Sequence, residues 1–137
     1  MAKEFSLPIR VYYEDTDAGG VVYYANYLKY FERARTEWLR DIGFEQDDLI
    51  GQHDVIFAVR SVNIEYLLPA RFNQELIVIT SIAEQKRASI HFDQRIYKNG
   101  DDTLLCQGFI RVACLEFSTM KPRAIPEMIT KQLELHL

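Results

Sequence analysis

The chain has little of what marks a specialised protein. Its 137 residues include only two cysteines, four prolines, six glycines and one tryptophan. No apolar run approaches the ~18 residues of a membrane span. The N-terminal stretch from Met1 to Pro8, with Lys3 and Glu4, lacks the apolar core of a signal peptide. Cys106 and Cys114 sit eight apart in one expected strand, roughly 26 Å at about 3.3 Å per residue and so beyond disulfide reach. Reduced thiols and a cytoplasmic setting are therefore expected.

Basic residues do not form a dense run. A formal net charge of −4 argues against general nucleic-acid binding, although a local basic spot can still hold one phosphorylated ligand. His53 and His91 lack partners at ligand or triad spacing, His136 lies at the tail, and no Cys/His cluster predicts a metal. A serine nucleophile elbow and a glycine-rich phosphate loop are also missing.

What is present suits one compact domain over residues 1–137, with 48% hydrophobic and 26% charged residues. So short a chain leaves much surface exposed, and association with copies of itself would help bury it. Ile9 to Glu14 alternates as a half-buried strand and runs into the turn-rich Asp15 to Gly20. Apolar residues at three- and four-residue steps, from Tyr23 through Tyr27, Tyr30, Phe31, Ala34 and Trp38, predict a helix over Tyr24 to Ile42. Arg33 and Glu37 form an i,i+4 pair on it, and Gly43 suits its C-terminal stop.

Strands are then expected over Asp54 to Leu67, Glu75 to Glu84, Ala88 to Lys98 and Thr103 to Phe117. Asn99-Gly100 signals a type I′ hairpin between the last two, and a short helix should follow Pro126. The expected fold is α+β, one long helix wrapped by a curved antiparallel sheet of about five strands. Strands this long, apolar on both faces in parts, suggest contact with another subunit, as a dimer or tetramer.

Chemistry concentrates where Asp15 and Asp17 lie in a glycine-bearing loop directly before the aromatic helix. A helix N-terminus offers unpaired N–H groups and partial positive charge, which suits the oxyanion of a carbonyl under attack. A carboxylate there can attack that carbonyl or activate water against it. The same two aspartates also suit plain turn capping, and spacing alone does not separate the readings.

The segment Arg10-Val-Tyr-Tyr-Glu-Asp-Thr-Asp-Ala-Gly-Gly-Val-Val-Tyr-Tyr24 resembles the signature of the 4-hydroxybenzoyl-CoA thioesterase family. Its extension, Phe31-Glu-Arg-Ala-Arg-Thr-Glu-Trp-Leu-Arg40, resembles the YbgC-like acyl-CoA thioesterases associated with the Tol-Pal system. Later stretches fit too, including Ile64 to Arg71, Gln94 to Ile96 and Met120 to Pro126. The resemblance implies the hotdog fold and hydrolysis of acyl-CoA thioesters, with acyl-carrier-protein thioesters as a further substrate. It implies no cofactor beyond the coenzyme A of the substrate.

It also implies Asp17 as nucleophile or general base, and the backbone N–H near Tyr24 as carbonyl polariser. Asp15 shapes the loop. The YbgC-like branch commonly has His at the position of Tyr24, whereas the 4-hydroxybenzoyl-CoA branch resembles this chain in having Tyr. Lys86, Arg87 and Ser89 match a segment that the family uses near the nucleotide of coenzyme A; on composition alone they also read as a solvated hairpin. Tyr23, Tyr24 and Tyr27 are candidates to line the acyl pocket. The reading from another class is a non-catalytic acyl-thioester-binding module on the same fold, which would not need Asp17.

Overall fold

The computed structural model describes residues 3–136, and at His136 the backbone alone, so the tail expectation for that side chain lies outside the described residues. Strand β1 (Phe5–Arg10) leads to helix α1 (Asn26–Asp41) and helix α2 (Gln46–His53). Four long strands follow: β2 (Val55–Tyr66), β3 (Glu75–Gln85), β4 (Ser89–Lys98) and β5 (Leu104–Glu116). The short β6 (Lys121–Pro122) and helix α3 (Glu127–His136) close the chain. The strands form one antiparallel sheet in the order β1-β3-β4-β5-β2, with β6 beside β5.

Alternation decides which face of the sheet meets the helix. Leu76, Val78, Thr80 and Ile82 on β3 are buried, as are Ile90, Phe92, Gln94 and Ile96 on β4. They face α1, which buries Tyr27, Tyr30, Phe31, Ala34 and Leu39 against them. Phe31 lies directly on Gly108, where an added Cβ would come 2.9 Å from the ring. That glycine lets the helix settle onto the sheet. Trp38 is only half-buried and meets Phe92 edge-on, with ring centroids 5.2 Å apart.

Several expectations are corrected. The first strand begins earlier and stops at Arg10, because the Tyr12 N–H turns to the Asp15 carboxylate and Tyr13–Asp15 winds into a 3-10 turn. The long helix begins at Asn26, two residues beyond Tyr24. Glu37 pairs with Arg40, and Arg33 instead lies 6.0 Å over the Tyr30 ring. In the Asn99-Gly100 turn only Gly100 has positive φ, +81°, so it is not type I′. The connection there is longer, held by Asp101 N–H to Lys98 O and by Thr103 N–H to the Asp101 carboxylate. Helix α2 was not expected; Asp47 and Asp48 in its first turn suit the helix dipole.

The Gly43 stop and the helix after Pro126 are as expected: Gly43 has φ +106° and the Phe44 N–H reaches Leu39 O at 3.0 Å. Among the described residues no helix is long and apolar enough to cross a membrane.

Candidate active site

The loop between β1 and α1 is built on main-chain hydrogen bonds. Thr16 and Val22 form an antiparallel bridge, and Asp17 N–H donates to Val21 O at 2.9 Å. Tyr23 N–H donates to Asp15 O at 2.9 Å, so residues 15–17 and 21–23 run side by side. Gly20, at φ +78°, turns the chain between them. Bonds from the hairpin and from the residue after β1 reach the connection before β3: Val22 N–H to Ala70 O at 2.8 Å, and Val11 N–H to Gln74 O at 2.9 Å.

Asp15 and Asp17 divide the work. Asp15 is buried and its carboxylate accepts the Tyr12 N–H at 2.8 Å, as befits a loop-shaping residue. Its carbonyl also accepts the side-chain amide of Asn26, the first residue of α1, at 2.9 Å. Asp17 is exposed. Its Oδ1 accepts the Gly19 N–H at 2.8 Å, which fixes the carboxylate and leaves Oδ2 open to a substrate. Turn capping and chemical availability thus coexist in one side chain.

The N–H groups of Tyr24 and Ala25 donate to no group among the described residues. They precede α1, whose N-cap Ala25 supplies no side-chain acceptor. These free donors leave a place for a developing negative charge.

An aromatic cluster surrounds the helix start. Tyr24 packs against Tyr23 at 4.9 Å and Tyr66 at 6.1 Å between centroids, and Tyr27 lies 5.4 Å from Tyr66. Tyr23 and Tyr24 are exposed, whereas Tyr27 is a core residue whose hydroxyl accepts the Ala70 N–H at 3.1 Å. Burial raises the Tyr27 and Tyr66 phenol pKa values above their ordinary range. Beneath the cluster the Cys106 thiol is fully buried and is pushed up to about 12 by desolvation.

Lys86, Arg87 and Ser89 lie at the opposite end of the sheet. Lys86 N–H bonds to Ser89 O at 2.8 Å in the β3–β4 turn, and both basic side chains are exposed. Lys86 lies 3.9 Å from Glu84, and Ser89 Oγ lies 3.4 Å from His91 Nε2. From Glu75, beside the Asp17 loop, β3 runs to Lys86 over roughly 35 Å at about 3.3 Å per residue. One chain alone does not bring the two groups together. Among the described residues no set of His, Cys, Asp or Glu side chains converges as a metal site.

Sequence reasoning missed Asn26, which ties the loop to the helix, and Arg35, which lies within the apolar stripe of α1. A signal for Arg35 was available: Phe31, Arg35 and Leu39 recur at four-residue steps, placing a cation on the buried line of the helix.

A carboxylate-bearing loop laid against the start of a helix, cradled by a curved antiparallel sheet, defines the hotdog-fold thioester hydrolases that the motif implied. The chain belongs to the thioesterase-like superfamily, whose pattern it matches over residues 11–133, in the branch of the YbgC acyl-CoA thioesterases. It is 46% identical over 125 residues to the acyl-CoA thioesterase YbgC of Haemophilus influenzae, covering 91% of this chain and 90% of that protein. To the acyl-CoA thioester hydrolase YbgC of Escherichia coli O6:H1 it is 45% identical over 130 residues, 95% and 96% of the two chains. The crystal structure of a probable thioesterase from Bartonella henselae superposes with a TM-score of 0.85 at 33% identity, over 90% of this chain and 99% of that one. The hotdog fold and the thioester-hydrolase class expected from the sequence are both met.

Proposed function

We propose that the chain hydrolyses acyl-CoA thioesters to a free acid and coenzyme A, with Asp17 as the reacting carboxylate. The observation that carries this reading is the open Oδ2 of a carboxylate pinned through Oδ1, in the loop that leads into the unpaired N–H groups of Tyr24 and Ala25. Asp17 takes a proton from the water that attacks the thioester carbonyl, or attacks it directly and forms an anhydride that water then hydrolyses to the free acid. The two N–H groups hold the oxyanion, and the C–S bond breaks to release a thiolate that then takes up a proton. Only a backbone N–H is asked of Tyr24, so Tyr serves where many relatives have His. Tyr23 and the Tyr24 ring flank the thioester, and Tyr27 backs them from the core.

Lys86, Arg87 and Ser89 hold the nucleotide end of the substrate through charge and a hydroxyl. They reach Asp17 only across two copies of the chain. Strand β2 is a twelve-residue edge with Val59, Val62 and Tyr66 exposed on it. Its Tyr66 end meets Tyr24, while Ala58 is in register with Ala113 and, across β5, with Ser89. Two β2 strands paired antiparallel about a twofold near mid-strand set the Tyr66 end of one copy beside the Ser89 end of the other. A homodimer with two composite sites follows, and a tetramer would pair such dimers. Acyl-carrier-protein thioesters present the same reacting end. Both cysteines are free and buried, which suits the reducing cytoplasm.

The test is hydrolysis of a panel of acyl-CoA esters, followed by thiol release, for wild type and Asp17→Asn. A fall of about 10²–10⁴-fold in kcat is expected. Equal rates would sink the assignment of Asp17, and binding of the esters without turnover would make the chain a binding module.

A further inference from the structure

A cavity of about 140 Å³ lies under the C-terminal half of α1, walled by Trp38, Leu39, Phe57, Ile90 and Phe92. Its size is close to that of an engineered apolar cavity of ~150 Å³ that takes up benzene. An acyl chain of about five or six heavy atoms fits that space. The charged side chains in the wall are Arg35 and, at its exposed rim, Glu32. Arg35 Nη1 donates to Gln94 Oε1 at 3.0 Å, and Arg35 makes no ion pair among the described residues.

Gln94 cannot turn away. It is fully buried, and its amide nitrogen donates both to Phe31 O at 3.0 Å and to Thr80 Oγ1 at 2.8 Å. The guanidinium is thus held in place by a neutral acceptor, with most of its five donors uncommitted. Glu32, one turn earlier on the same helix, attracts Arg35 through space, but it is exposed and its Oε1 accepts from the Thr36 hydroxyl at 3.3 Å. Burial lowers the Arg35 pKa and the exposed Glu32 offsets this only in part, without a direct ion pair, so a ligand carboxylate would add compensation through a bidentate pair.

We propose that this cavity receives the far end of the acyl group and that Arg35 selects acyl chains ending in a carboxylate, the half-thioesters of short dicarboxylic acids. The inference rests on the thioesterase reading and on its β2-paired dimer. Phe57 and Val59 of β2 border the cavity, and in the proposed β2-paired dimer this part of β2 would lie beside the Tyr66 end of the second copy. Within one chain, Arg35 is nine residues past Asn26, about 13 Å along the helix at ~1.5 Å per residue, and too far for so short a chain.

The experiment compares kcat/KM for glutaryl-CoA and pentanoyl-CoA, equal in carbon number, in wild type, Arg35→Met and Arg35→Lys. Wild type should favour glutaryl-CoA by at least about tenfold. Arg35→Met should lose roughly 100-fold on glutaryl-CoA and change little on pentanoyl-CoA, whose turnover also reports correct folding. Arg35→Lys keeps the charge without the fork and should fall between them. A wild-type preference for pentanoyl-CoA overturns the proposal, as does an equal loss on both esters in Arg35→Met. If neither ester is hydrolysed, the thioesterase reading fails, and the dissociation constants of the two intact esters decide the pocket by the same ratio.

Discussion

Cys106 shows how one residue carries information about the whole site. It lies fully buried beneath Tyr27 and Tyr66, and desolvation lifts its thiol to about 12. The neutral thiol is favoured by the fold, so its contribution to stability is complete below the ordinary value of 9.0 and fades as pH climbs towards about 12. The phenols of Tyr27, Tyr30 and Tyr66 are raised in the same sense, with burial the largest cause. Urea denaturation should therefore show falling stability between pH 9 and 11, with a shallower fall in Cys106→Ala. Iodoacetamide should label Cys106 slowly in the native protein and rapidly once it is unfolded. Fast native labelling would mean that the aromatic cluster opens. At this scale the sequence was partly legible. Asp17 stood out through its motif, but the hydrogen bond from Asn26 to Asp15 O joins residues whose roles depend on how the loop folds back.

Between elements, the contact that sets α1 on the sheet is Phe31 against Gly108. A methyl group at that glycine would meet Phe31 Cε2 at 2.9 Å and Ile110 Cδ1 at 3.1 Å, both on buried side chains with little room to move. Gly108→Ala should cost about 1–3 kcal/mol, read as a lower urea midpoint at unchanged slope. Activity per folded molecule should fall as well, since displacing the helix moves the Tyr24 and Ala25 donors relative to Asp17. An unchanged midpoint would show that the helix rides up without loss. Four long strands and the main helix were legible because their apolar periods are clear over ten or more residues. Helix α2 was not: its eight residues bury only Leu49, too little for a period to register. The Asn99-Gly100 turn misled because a dipeptide preference yields to the length of the loop around it.

For the whole molecule, the separation of Asp17 from the Lys86 to Ser89 turn means that, on the proposed function, activity depends on assembly. Val62 lies near the middle of β2, where the proposed twofold would bring the two copies' residues together. Val62→Glu would set like charges opposite one another and should shift the protein from dimer to monomer in sedimentation. Thioester hydrolysis should fall with it, although Asp17 is untouched. A fully active monomer would refute the composite site. Sequence hinted at association through long two-faced strands, but the residues to be joined were invisible to it, since that depends on sheet order and register.

The two rims of the sheet differ in a way that bears on solubility. Strand β1 is six residues long and carries Pro8, which offers no N–H to an incoming strand, while β2 is long and proline-free. In the proposed dimer, a self-complementary joint at β2 uses up that receptive margin on both copies at once, and what remains outermost is the proline-bearing rim on either side. The ribbon is then finite by construction. Adding a third copy edge to edge would require pairing with a short strand that lacks a donor at Pro8, so the proposed joint would also guard the protein against growing into a fibre.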